Sequence, residues 1–90
     1  MKPKIGKRIY CIYEDGILVD EVAFLGKESF IVASLSDDTE PDSWEWHYKD
    51  YEKKWFTSLA KAKKELRNLW GEGIFKIIKV SDTWYQIDED

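Results

Sequence analysis

Two residues of this sequence are of the usual nucleophile and general-base types, Cys11 and His47, and each is the sole member of its kind among the 90 residues. A thiol and an imidazole carry out group transfer when the base reaches the sulfur and a carboxylate orients the base. Cys11 lies in the run Ile9-Tyr10-Cys11-Ile12, where a free cysteine behaves as a small buried hydrophobe. His47 shares a polar face with Glu45 and Lys49. The pattern predicts no catalytic residue. One cysteine and one histidine also fall short of the four ligands of a structural zinc site. The acidic stretch from Asp37 to Glu52 lacks the glycine and the closing glutamate of a calcium loop. Neither G-x-G-x-x-G nor a P-loop occurs, so no cofactor and no metal are expected, and the chain reads as a non-enzyme.

Binding chemistry is better represented. Trp44, Trp46 and Tyr48 alternate with Glu45, His47 and Lys49, and Tyr51, Trp55 and Phe56 follow closely. Rings exposed on a curved sheet could stack bases or, with Glu45 or Asp42 nearby, cage a cation. The plainer alternative is that rings alternating with polar residues form a one-sided core. Between residues 53 and 67, Lys53, Lys54, Lys61, Lys63, Lys64 and Arg67 face Glu65 alone. Lys61, Lys64 and Arg67 lie opposite the apolar arc of a helical wheel and Lys63 flanks it, which suits phosphates, an acidic partner or simply solvent. Asp37, Asp38, Glu40, Asp42, Glu45, Asp50 and Glu52 are answered only by Lys49, so the molecule is electrically bipolar.

The elements that must position these groups are marked by period and punctuation. Ile9–Tyr13 and Ile17–Leu25 read as a hairpin around Glu14-Asp15-Gly16, with the Asp-Gly pair expected to supply positive φ angles. Gly26-Lys27 precedes a third strand over Ser29–Leu35, and Ser36–Ser43, SDDTEPDS, reads as a solvated loop. Trp44–Tyr48 forms strand four. From Ser58 to Trp70 the period becomes helical, with Leu59, Ala62, Leu66, Leu69 and Trp70 within an arc of about 100°. Thr57 or Ser58 stands at the N-cap and Gly71 at the C-terminal end. Ile74–Val80 and Thr83–Ile87 flank Ser81-Asp82 as a second hairpin, with Asp88-Glu89-Asp90 trailing into solvent. The expected fold is α+β: residues 1–90 form one domain, a curled antiparallel sheet or small partly open β-barrel in the order ββββαββ with one amphipathic helix and flexible ends at 1–7 and 88–90.

Composition narrows the class. With 14 Lys and Arg against 18 Asp and Glu, the net charge of −4 disfavours a general polyanion binder. A lone cysteine suggests a reducing, cytoplasmic setting. The basic Met1–Arg8 segment is followed by a strand pattern rather than an apolar run, which reads as neither signal peptide nor membrane span.

The run from Asp50 to Leu66, DYEKKWFTSLAKAKKEL, resembles small uncharacterised proteins of Gram-positive bacteria and their phages. That resemblance covers about a fifth of the chain and implies a curled sheet of unknown function, with no catalytic residue to transfer. It also implies a phage-like or mobile-element origin, in which short acidic proteins often bind a host protein. The expected function is protein interaction, with Trp46, Tyr48 and Trp55 as anchors and Lys61, Lys64, Arg67 or the Asp37–Asp42 stretch as steering charges. The alternative is a single-stranded nucleic-acid-binding barrel that stacks bases on Trp44, Trp46 or Tyr48. A homodimer through a free sheet edge is equally open.

Overall fold

A computed structural model describes residues 2–34, 43–71 and 75–89. It is an α+β fold of seven strands and one α-helix: β1 Arg8–Ile12, β2 Gly16–Leu25, β3 Ser29–Ser34, β4 Ser43–His47, β5 Trp55–Phe56, α1 Leu59–Trp70, β6 Phe75–Lys79 and β7 Trp84–Glu89. The antiparallel sheet runs β4-β3-β2-β1-β5 and curls into a half-barrel, with β7 joining β2 and β6 joining β7.

The ten-residue β2 is the spine. Its first residues, Gly16 to Leu18, pair with β7, while Asp20 to Leu25 pair with β3. An irregularity between Val22 and Phe24 shifts the register. One extra residue at such a point bends the strand and increases its twist, which helps the sheet to curl.

Two apolar clusters follow from the alternation of side chains along β1. Ile9 and Cys11 point inside the curl and pack with Val22, Phe30, Val32 and Trp55. Tyr10 and Ile12 point to the other face, where Ile17, Phe56 and Ile87 meet Ala62 and Leu66 of α1. The helix therefore covers the outer face of the sheet. Its starting residue, Ser58, is extended at φ −129° without a side-chain cap bond, and Gly71 closes it at φ +80°.

Several expectations change in the structure. The first turn takes no positive φ at Asp15 or Gly16. Instead the Tyr13 N–H donates to the Gly16 carbonyl at 2.9 Å, and the Ile87 N–H donates to the Asp15 carbonyl at 2.9 Å. Gly16 is required by proximity: a Cβ there would overlap the Tyr85 carbonyl and the Trp84 ring, because β7 lies directly against the turn. β4 ends at His47, and Tyr48–Asp50 form a 3₁₀ turn rather than strand. The two-residue β5 is an added strand that pairs Trp55 with Cys11 and Phe56 with Tyr10. β7 continues through Asp88 and Glu89, which pair with Lys76 and Phe75 where tails were expected. The amino-terminal segment is also held: Gly6 N–H donates to Val22 O at 2.8 Å and Pro3 is buried. Residues 36–42 of the expected loop lie outside the described residues, while Ser43 already pairs with Ala33.

Candidate functional site

The expected aromatic anchors have been absorbed by the inside of the half-barrel. Trp55 is 0% exposed, packs edge-on against Phe30 at 4.8 Å between centroids, and donates its indole N–H to the His47 carbonyl at 2.8 Å. That bond ties the end of β4 to β5 across the open side of the sheet, so Trp55 has no surface to offer a partner. Trp46 is half-buried against the same cluster. Tyr48 stacks on Phe30 at 5.6 Å and donates its hydroxyl to Gly26 O at 2.8 Å. The rings of β4 therefore serve packing, and Glu45 and His47 take the solvent side.

A polar group sits inside this core. Asp20 is 0% exposed, and its Oδ2 accepts from Trp44 Nε1 at 3.0 Å and faces Cys11 Sγ at 3.8 Å. Asp20 Oδ1 and Trp46 Nε1 are buried without a hydrogen-bond partner among the described residues. Burial raises the Asp20 carboxyl to about 6, against the lowering effect of its bonds to Trp44 and Cys11. Burial, followed by the Asp20 charge, pushes the Cys11 thiol strongly upward and keeps it protonated. A protonated thiol is a poor nucleophile. The structure places Cys11 of β1 with Asp20, while His47 is an exposed residue of β4, which β3 and β2 separate from β1 in the sheet. Among the described residues no group of three or more His, Cys, Asp and Glu could hold a metal ion. No described helix is long and apolar enough to cross a membrane.

The basic helix face is partly spoken for. Lys61 Nζ binds Glu52 Oε1 at 3.2 Å, Lys63 lies over the Tyr85 ring at 5.3 Å, and Arg67 lies over Phe75 at 5.6 Å. Lys64 borders a groove shared with Glu52 and Glu65, whose charges offset it. Lys61, Lys64 and Arg67 therefore form no continuous free cationic face.

Exposed apolar surface and concavity coincide elsewhere, at the carboxyl end of α1. A cleft of about 610 Å³ is lined by Ile12, Tyr13, Glu14, Lys53, Lys54, Leu69 and Trp70, and it exceeds three other grooves of about 380, 350 and 480 Å³. Three local structures build it. The β1–β2 turn presents Tyr13, and the carboxyl end of α1 leaves Leu69 64% and Trp70 38% exposed, with the Trp70 ring tilted against Phe75 of β6 at 6.0 Å. A tight reversal at Glu52, held at φ +60°, brings Lys53 and Lys54 to the rim; both of their N–H groups donate to Asp50 O. Trp70 donates its indole N–H to Glu14 O at 2.7 Å, which ties its ring to the β1–β2 turn as one wall of the cleft. Burial raises the Tyr13 phenol to about 12.

Sequence periodicity placed Leu69 and Trp70 on the buried arc of the helix, and so missed this cleft. The available signal was the pair Lys53-Lys54 beside a helix whose last two residues are both large and apolar. Comparison with protein-family models, curated proteins and solved structures returned no match.

Proposed function

We propose that this protein is a non-enzymatic protein-interaction module that works in the cytoplasm and receives its partner in the cleft of Tyr13, Lys53, Lys54, Leu69 and Trp70. The observation that carries the reading is the coincidence, in one concavity, of a hydrogen-bonded tryptophan, an exposed leucine and two lysines that outnumber the one carboxylate of the lining, Glu14. Aromatic anchors in a pocket supply most of the energy of a typical interface, and a charged rim steers the encounter. The matching ligand is a segment with an apolar side chain flanked by carboxylates. A mobile-element origin, implied by the resemblance of residues 50–66, would make that partner a host protein. Base stacking on β4 is less well supported, because Trp44, Trp46 and Tyr48 are half-buried against the core.

The test is parallel affinity capture with the wild-type protein, Leu69→Asp and, as a surface control, Phe24→Asp, since Phe24 is 61% exposed away from the cleft. A protein retained by wild type and Phe24→Asp but lost with Leu69→Asp supports the cleft. Identical capture by all three removes it from the account.

A further inference from the structure

A second concave surface lies at the amino-terminal segment and uses none of the residues of the interaction cleft. Lys2, Lys4, Lys7 and Arg8 line one pocket of about 380 Å³, with Tyr10, Thr57 and the buried Pro3 completing its wall. The backbone sets these positions. Lys7 N–H donates to Lys4 O at 3.1 Å around Gly6 at φ +86°, the geometry of a type II turn that favours glycine. The turn is bound to β2 on both sides, through Gly6 N–H to Val22 O at 2.8 Å and Val22 N–H to Lys7 O at 2.9 Å. Arg8 follows directly as the first residue of β1, and Thr57 comes from the segment entering α1.

The charge balance of the pocket is one-sided. No carboxylate lines it, and the acid flanking it in the ladder is Glu21, paired with Arg8 across β1 and β2. None of the four cations forms an ion pair with another described residue, although Lys2 lies 5.4 Å over the Tyr48 ring. The pocket thus gathers four exposed cationic residues and no carboxylate, in a chain whose net charge is −4. That one-sided balance suits an anion.

We propose that this pocket binds a compact polyphosphate ligand. The guanidinium of Arg8 presents a planar fork that matches phosphate oxygens, lysines act on phosphate as point charges, and Thr57 adds a neutral hydroxyl donor. A phosphoryl group carries about −1.5 to −2 at pH 7, so two or three of them balance four cations. The volume falls within the range of roughly 300 to 1,000 Å³ typical of small-ligand sites.

The test is calorimetric titration of the full chain with tripolyphosphate at about 50 and 200 mM salt, for the wild type, the double variant Lys4→Gln/Lys7→Gln, and Lys76→Gln as an exposed charge outside the pocket. Thermal melts without ligand check that the double variant is folded. The expected result is saturable binding that weakens with salt, falls about tenfold or more in the double variant and is unchanged in Lys76→Gln. Absence of binding at the lower salt, or equal losses in both variants, overturns the proposal. A single-stranded oligonucleotide that binds through Lys4 and Lys7 while tripolyphosphate does not also overturns it, and would assign the phosphates to a nucleic-acid strand.

Discussion

At the scale of single residues, Asp20 is the group whose environment departs furthest from water among the carboxylates described. An aspartate in an unfolded chain titrates near 3.9, whereas Asp20 in the fold is raised to about 6. Folding therefore favours its neutral form. The associated stability is complete below about pH 4 and is lost as pH rises through about 6. Asp20→Asn keeps a neutral group of similar shape at every pH. Chemical denaturation from pH 4 to 7 should show the wild type losing stability relative to Asp20→Asn by on the order of 2 to 3 kcal/mol; a constant difference would remove the buried-carboxyl account. Gly16 makes a second point at this scale. Its sequence context, Asp-Gly between two strands, signals a turn correctly but for the wrong physical reason. The constraint is the approach of Tyr85 O and the Trp84 ring, a long-range contact that no local pattern encodes. Gly16→Ala should cost about 1 to 3 kcal/mol in equilibrium unfolding, the usual range for overpacking, whereas a demand for positive φ alone would leave a cost at the low end.

At the scale of elements, the features with a sustained period were legible and the short ones were not. The meander, the helix and the final hairpin all appear within a few residues of where alternation and helical spacing put them. β5 escaped because two residues carry no period, and the 3₁₀ turn over Tyr48–Asp50 continued the aromatic alternation of β4 closely enough to read as strand. The helical wheel correctly identified the arc but not its extent. Ala62 and Leu66 are 0% exposed, whereas Leu69, on the same arc, is 64% exposed. Stability should divide the arc accordingly: Leu66→Ala should cost about 2 to 5 kcal/mol and Leu69→Ala about 0.5 kcal/mol or less, read from denaturant midpoints at constant slope. Comparable losses at both positions would mean that the helix end is covered and the cleft is not free. Trp55 illustrates the opposite error. An aromatic beside lysines resembled a surface anchor, yet a small half-barrel uses its largest ring to close its open side.

For the whole molecule, the charges of the described residues are distributed differently from the linear reading, since Glu52 of the acidic run pairs with Lys61 of the basic helix. Helix cations are drawn onto Glu52, Tyr85 and Phe75, while cations with no ion-pair partner among the described residues lie at the amino-terminal pocket and at the Lys53-Lys54 rim of the cleft. Rim charges act mainly on encounter rates and are screened by salt. With a captured partner in hand, Lys53→Glu/Lys54→Glu should slow association by about tenfold at low salt and by less at about 150 mM, with a smaller change in dissociation. An unchanged association rate would exclude steering by these lysines. The candidate cleft itself was not legible in the sequence, because it is assembled from a turn near residue 13, a reversal near residue 53 and a helix end near residue 70. Only the three-dimensional closure of the sheet brings those segments together.

The proposed partner protein seats an apolar side chain against Leu69 and Trp70. The most direct measurement is photo-crosslinking in cells, with a photoreactive residue placed at position 69 and, separately, at the equally exposed position 24. The expected result is a discrete adduct from position 69 whose yield falls in the Lys53→Glu/Lys54→Glu background, and none from position 24. Equal yields from both positions, or an adduct from position 24 alone, would rule out the cleft as the docking site.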